Sequence, residues 1–308
     1  MNYVCAYVVA RAMTAGGEPP WCPTAWPPAL DRVLQTVVPH NFVRATAKYD
    51  YPKVHVKGIN AIVKAGTCAW CHDSSALIAY AFDRAIQYNC TPPMAGLFMN
   101  REAAQPLLEF FRKSTAKVVQ YNTMLDTRGG IEGSIQYMVP LDSYSSVPGR
   151  WCLYPQNCSA FAACPFKPED IANVVLYDYF IGNNDRPGNC FEHRNAPLLL
   201  DQGSAKFFKL VPSYAGDPVK LVAMQELIDN NKRDEHVCKS LERSWARINV
   251  SDTIAATWAI LRSVASPQTF AHRVALSLQK QRRAEWVLTR RLTALIRYAK
   301  NNCGIQLF

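Results

Sequence analysis

Residues 174–207 read VVLYDYFIGNNDRPGNCFEHRNAPLLLDQGSAKF, and this stretch decides the fold. Val174, Val175, Leu176, Tyr179, Phe180 and Ile181 have the apolar spacing of a helix. Gly182 stops it, and the run Gly-Asn-Asn-Asp-Arg-Pro-Gly-Asn is dense in turn formers. Leu198, Leu199 and Leu200 form a short apolar run that suits a buried strand, and Asp201 stands at its end, before Gln202 and Gly203. The order is helix, polar loop, strand, acid. It sets two carboxylates, Asp185 and Asp201, on the rim of a hydrophobic core, with Asn189 between them in the chain.

That trio suits phosphoryl transfer. Asp185 would accept the proton of an attacking hydroxyl, while Asp201 and Asn189 would hold a divalent metal on the phosphates. Hard oxygen ligands are what Mg2+ and Mn2+ take. An isolated D-x-x-x-N is more commonly an Asx-rich surface turn, so the wider stretch has to separate the two readings.

Asp-Tyr-Phe-Ile-Gly-Asn-Asn-Asp-Arg at 178–186, then Leu-Leu-Leu-Asp-Gln-Gly at 198–203, resembles the paired motifs of the secretory-pathway kinases. These are the "family with sequence similarity 20" proteins, of the Golgi casein kinase and glycosaminoglycan xylosylkinase type, and their four-jointed relatives. The resemblance implies that Asp185, followed by Arg186, is the catalytic base. It implies that Asp201 binds the metal, as the Asp of a DFG motif does in ordinary kinases. Two positions depart from the pattern. Pro187 stands where the family often has His, and Asn189 falls four residues after the base where related kinases place Asn five after.

Working upstream, Phe42 to Ala45, Val54 to Val56 and Ala61 to Lys64 read as strands, with Gly58-Ile59-Asn60 as a tight turn. Lys64 ends an apolar strand, where a kinase places the lysine that pairs with ATP phosphates; Lys53 and Lys57 are the alternatives. Residues 74–88 read as a helix capped by Asp73 or Ser74, with Leu77, Ile78, Ala81, Phe82, Ala85 and Ile86 at helical spacing. Asp83-Arg84 and Pro92-Pro93-Met94-Ala95-Gly96 are similar to the family's Asp-Arg and Pro-Pro-x-x-Gly. The family's helix carries a Glu seven residues before that Asp, to pair with the phosphate-binding Lys. Here that position is Ala76, and Asp73, one turn earlier, is the substitute carboxylate. Ile131-Glu132-Gly133-Ser134 resembles a further family motif, in the family's order. The resemblance spans roughly Ile62 to Gly304 and makes Lys64, Asp73, Glu132 and Asn189 the nucleotide-binding candidates.

Downstream, Pro168-Glu169-Asp170 opens the central helix with acids in its first turn, which suits the helix dipole. A helix is expected around Ala104 to Phe111 and a strand at Val118 to Tyr121. Lys220 to Asp229, Cys238 to Ile248, Thr253 to Val264 and a long Thr269 to Lys300 read as helices. Cys303 resembles the family's C-terminal cysteine, which implies Cys238 as its disulfide partner.

The chain has 308 residues, 49% hydrophobic and 19% charged, so it buries a core and is not disordered. Its formal net charge is +10. Much of the excess lies in Lys280, Arg282, Arg283, Arg290, Arg291, Arg297 and Lys300, against Glu285 alone. This reads as a solvated helix face, or as a face for acidic proteins, sulfated glycans, nucleic acid or anionic lipid. Eleven cysteines suggest an oxidising compartment with several disulfides, the odd number leaving at least one outside intramolecular pairs. Asn89, Asn157 and Asn249 head glycosylation sequons. Cys68-Ala-Trp-Cys71-His72 matches a haem-attachment pattern, against the commoner reading of a local disulfide or unrelated cysteines. Residues 14–30, rich in Gly, Pro and Trp, read as an extended lead segment that packs its tryptophans on the body. The apolar run Tyr3 to Ala10 is at the short limit of a signal-peptide core, and no apolar stretch is long enough to span a membrane.

The expected fold is α+β, bilobal and kinase-like. Residues 1–39 are the lead segment and 40–308 the kinase-like domain, with a small strand-rich lobe over about 40–130 and a larger helical lobe over about 131–308. The small lobe is expected to hold Lys64 and the 74–88 helix. The function implied is an ATP-dependent kinase using Mn2+ or Mg2+. Its acceptor would be a serine or threonine of a secreted protein, or a xylose hydroxyl of a proteoglycan. The other reading is an inactive relative that binds, or regulates allosterically, an active kinase. Location in the Golgi lumen or outside the cell, and pairing with itself or a related kinase, follow from the resemblance. Nucleic acid and a transmembrane segment are not expected.

Overall fold

The computed structural model describes residues 26, 30–36, 41–44, 52–65, 73–113, 122, 125–140, 145–146, 166–183, 186, 190–193, 196–200, 205, 207–208, 223–245 and 248–305. In chain order the first elements are α1 (Leu30–Gln35), β1 (Val43–Arg44), β2 (Pro52–Val56), β3 (Ile59–Ala65), α2 (Asp73–Ala85), β4 (Met94–Asn100), α3 (Arg101–Arg112) and β5 (Gly130–Tyr137). The five strands form one antiparallel sheet in the order β1-β2-β3-β5-β4. Val56 stands opposite Ile59, so the β2–β3 turn is Lys57-Gly58, a residue earlier than the sequence suggests. Both turn residues have positive φ, 47° and 79°, as a two-residue type I′ hairpin demands. Lysine at a positive φ gives no warning in sequence, whereas Ile59 and Asn60 already belong to the ladder.

Alternation gives the sheet two faces. On one, Val54, Ala61, Val63, Ala95, Leu97, Met99, Ile131 and Ile135 bury against Leu34 of α1 and Leu107, Leu108 and Phe111 of α3. The other face carries Ile62 and Lys64 from β3, Met94 and Gly96 from β4, and Glu132, Ser134 and Gln136 from β5. Met94 joins the larger, helical core.

That core is built on α2 and on α4 (Pro168–Ile181), two helices buried almost all round. Between α3 and α4 in the chain order is β6 (Ser145–Ser146), which pairs with β7 (Cys190–His193), itself paired with β8 (Ala196–Leu199). The remaining helices are α5 (Ala223–Asp229), α6 (Glu235–Arg243), α7 (Val250–Val264), α8 (Phe270–Leu276) and α9 (Leu278–Tyr298), with a π turn over Ala299–Cys303. Aromatic rings link α2 to α4: Phe82 lies 6.2 Å from Tyr177 and 6.3 Å from Phe180 between ring centres. The Tyr177 hydroxyl donates to the Ala79 carbonyl at 3.1 Å.

The apolar side chains of α2 join the helical core with α4 and α7. Two expectations change. The polar loop after Gly182 contains a strand, β7, whose partner β8 is the expected Leu-rich run. The single helix expected over 269–300 is broken at Ser277, whose ψ of 107° is extended. Ser277 ends α8 and caps α9, its hydroxyl accepting from the Lys280 N–H.

Trp26 packs on the body as expected of the lead segment. Its indole N–H donates to the Asn89 carbonyl at 2.9 Å, and its ring stacks on His193 and meets Tyr137 edge-on. Cys238 and Cys303 form the expected disulfide, their Cα atoms 5.5 Å apart. Cys90 is also disulfide-bonded. Of the sequon asparagines, Asn249 caps α7 and Asn89 is half-buried. Asn157, the strand at 118–121 and the Cys68, Cys71 and His72 group lie outside the described residues, as do Tyr3 to Ala10. Among the described residues no helix is long and apolar enough to cross a membrane.

Candidate active site

The central helix α4 begins with Pro168, Glu169 and Asp170, a proline and two acids suited to the helix start. It ends at Gly182, left-handed at φ 66°. Its last turn has no basic residue of its own, and Arg291 of α9 supplies one, donating from Nη1 to the Phe180 carbonyl. A Cβ at residue 182 would lie 2.5 Å from the Arg291 guanidinium, so glycine is needed for this approach as well as for the turn. Burial lowers the Arg291 pKa to about 10. Arg291 therefore does not belong to the solvated basic face that the sequence suggests; it is 3% exposed and serves the end of α4.

Beyond Gly182 the chain carries Arg186, buried with Asp178 of α4. Its Nε donates to Asp178 Oδ2 at 2.9 Å and its Nη2 to Oδ1 at 2.7 Å, a two-pronged pair. Asn183 also bonds the Asp178 carboxylate. Burial raises the Asp178 pKa, and Arg186 and Asn183 pull it back. Burial works against the Arg186 charge, but the Asp178 carboxylate outweighs it and the guanidinium holds its proton more tightly. The third prong reaches across the site: Arg186 Nη1 donates to the Leu200 carbonyl at 3.1 Å. Arg186 follows Asp185 in the chain, and Leu200 precedes Asp201. One buried side chain thus joins the two segments that carry the candidate aspartates. Sequence reading treated Arg186 only as a flank of Asp185 and missed Asp178. The available signal was an acid within an apolar helix, which needs a partner if buried.

A second polar knot holds the turn between α2 and β4. Asp83 is fully buried, ion-paired with Arg84, and accepts the Cys90 N–H at 3.1 Å. Arg84 also donates to the Thr91 carbonyl at 2.7 Å and lies over the Tyr80 ring. Burial raises the Asp83 pKa to about 6 against the pull of Arg84. This is the Asp-Arg of the sequence motif, and it fixes the chain just before Pro92-Pro93.

On the sheet, Lys64 of β3 stands opposite Ser134 of β5, which in turn stands opposite Gly96 of β4. A Cβ on Gly133 would lie 2.3 Å from the Lys64 carbonyl oxygen, so glycine lets β5 close on β3 beside the lysine. A Cβ on Gly96 would lie 2.8 Å from Ala265 Cα, where the end of α7 rests on β4. Glu132 shares the Lys64 face, and its carboxylate accepts the Phe270 N–H at 2.6 Å and a hydrogen bond from Arg128 at 3.1 Å. Arg273 is 3.8 Å away. Glu132 thereby ties the sheet to the start of α8.

Lys64 and Glu132 are thus brought to one face of the sheet. Lys53 lies on β2, and Lys57 sits in the hairpin turn with its Nζ on Thr36. Ala76, where the resemblance has Glu, is buried among apolar neighbours in α2. Asp185, Asn189 and Asp201 lie outside the described residues, and of Asp73 only its place at the start of α2 is described. Among the described residues no group of three or more His, Cys, Asp or Glu could hold a metal ion.

A small antiparallel sheet with a lysine on its third strand, followed by a helix and then by a larger helical lobe, defines a kinase-like α+β fold of two lobes. The architecture is similar to that of a solved Golgi casein kinase, 15% identical, with a TM-score of 0.56 over 89% of this chain and 77% of that one. It is also similar to a hydra Fam20 structure with sugar, 13% identical, with a TM-score of 0.51 over 99% of this chain and 98% of that one. What the chain shares with both is a Fam20-like kinase fold. No family model and no curated protein matches the sequence.

Proposed function

We propose that the chain is a phosphotransferase that moves the γ-phosphate of ATP to an alcohol. The observation that carries this reading is the reach of Arg186 from Asp178 to the Leu200 carbonyl, which joins the chain next to Asp185 to the chain next to Asp201. In this reading Asp185 orients the acceptor hydroxyl and takes its proton. Lys64, on the sheet face towards the helical lobe, neutralises phosphate charge. Glu132 holds that part of the sheet against α8, and Asp73 is the carboxylate nearest in sequence to the missing helix Glu. Asp201 and Asn189 would hold the metal, and their oxygen donors suit Mn2+ or Mg2+. When bound, such an ion draws charge from the phosphate oxygens. The acceptor is a serine or threonine of a secreted protein, or a sugar hydroxyl of a proteoglycan, and the setting is the Golgi lumen or beyond.

The test is the melting temperature of the purified chain with ATP, with and without Mn2+ or Mg2+, followed by transfer to casein and to a xylosylated acceptor. The expected result is a metal-dependent rise in melting temperature that disappears in Asp201→Ala, whose own melting point in the absence of ATP is unchanged. Asp185→Asn should keep the shift and lose transfer. An Asp201→Ala protein with undiminished turnover would overturn the metal assignment. No shift under any condition would replace this reading with the inactive one, a binding partner of an active kinase.

A further inference from the structure

The basic C-terminal helix has no part in the proposed chemistry, and its exposed side is unusual in a second respect. Leu276, the last residue of α8, is 58% exposed, and Leu278, the first of α9, is 68% exposed. Val274 and Ala275, just before them, are buried. The extended Ser277 turns the chain there, so the two leucines flank a corner between helices. Trp286 follows on the same helix at 40% exposure. At about 100° per residue, Leu278, Arg282, Trp286 and Arg290 fall within an arc of roughly 120°. Arg283 and Arg290 lie over the Trp286 ring at 4.4 and 5.6 Å. Arg297 and Lys300 continue the exposed basic side, and the single acid, Glu285, accepts from the Ser251 hydroxyl.

Two of the cations are held locally: Lys280 lies 5.3 Å over the Phe208 ring, and Arg283 Nε donates to the Phe208 carbonyl at 3.0 Å. The charges do not serve the dipole of the helix that bears them. Lys280, Arg282 and Arg283 stand in the opening turns of α9, where the helix dipole favours acids, and the first turn holds none. They are interleaved with three large apolar side chains exposed on the same short stretch, Leu276, Leu278 and Trp286. Cations interleaved with exposed leucine and tryptophan along one helix match a lipid interface, with apolar groups entering the acyl boundary and guanidiniums remaining at the headgroups. A sulfated glycan or acidic polypeptide chain would pair with the cations and leave both leucines in water.

We propose that the α8–α9 corner and the exposed side of α9 dock peripherally on an anionic lipid bilayer. The corner leucines and Trp286 enter the interface, while Arg282, Arg290 and Arg297, all exposed, face acidic headgroups. None of these side chains is among those proposed for phosphoryl transfer, and the proposal stands whether or not the chain transfers phosphate.

The experiment is co-sedimentation of the full chain with vesicles of phosphatidylcholine alone and with added phosphatidylserine, at low and high salt. The proposal expects binding to the phosphatidylserine vesicles only, weakened by salt. Leu276→Ser with Leu278→Ser should cut partitioning roughly tenfold or more, as loss of two buried leucines implies. Arg282→Glu with Arg290→Glu should abolish it. Every residue changed is exposed, and unchanged melting curves certify the fold. Absence of binding to either vesicle overturns the proposal, as does equal binding to both. Binding lost in the arginine variant but untouched in the leucine variant overturns it too, in favour of an acidic macromolecule, which heparin and polyglutamate would then identify.

Discussion

Asp178 and Arg186 are buried charges that depend on each other. Removing either partner of such a pair costs about 3–5 kcal/mol, because the remaining charge is stranded in the core. Asp83 is a different case. Burial raises its pKa from 3.8 to about 6, since Arg84 offsets only part of the desolvation. A carboxyl with a raised pKa holds its proton longer folded than unfolded, so its contribution is full below 3.8 and is lost as the pH climbs to about 6. Asp83 alone should therefore lower the unfolding free energy by about 3 kcal/mol across that window. Urea titrations at a series of pH values should show the slope in the native chain and a flatter profile in Asp83→Asn. An identical slope in the variant would place the proton elsewhere.

At the scale of elements, glycines set the spacing of the site. Gly133 lets β5 close on β3 beside Lys64, and Gly96 lets the end of α7 rest on β4. Both contacts are with backbone, which cannot rotate away as a side chain would. Gly96→Ala should destabilise the protein by about 1–3 kcal/mol, the range for forcing an extra methyl into packed structure. Chemical denaturation would measure it. Wild-type stability in the variant would mean that α7 and the sheet slide apart without cost. Glu132 makes the third link between sheet and helices, through the Phe270 N–H. Three of the four residues of Ile131-Glu132-Gly133-Ser134 thus have a structural reason. Ile131 fills the sheet's core, Glu132 holds α8, and Gly133 admits β3.

For the whole molecule, the Cys238–Cys303 disulfide ties the C-terminal helices together. It closes a span of 65 residues that contains α7, α8 and α9. In the chain-entropy model a loop of that length is worth about 4 kcal/mol. Cys238→Ser with Cys303→Ser should lose about that much in guanidinium melts, and reductant should lower the native chain's stability while leaving the variant's disulfide-free C-terminal span unaffected. A variant as stable as the native protein would show that the helices hold the span unaided. Two apolar cores lie on either side of the face that carries Lys64, one under the sheet and one around α2 and α4.

The sequence alone determined the order of elements around the site and the family-like motifs in them. Apolar periodicity was enough for α2, α4 and α7, because each buries a long regular run. The Cys238–Cys303 pair came by resemblance. Local pattern could not decide which polar residue meets which partner. Asp178 and Arg186 are eight residues apart, and only the folded chain shows one side chain spanning from α4 to the Leu200 carbonyl. Arg291 looked like one more surface cation because its partner, the end of α4, is 111 residues away in sequence. Gly58 marked a turn, but its bounds, Lys57-Gly58, and the break at Ser277 were tertiary decisions. Neither Lys57 nor Ser277 carries the proline or glycine signal that marks a turn, and the register of β2 on β3 sets the hairpin.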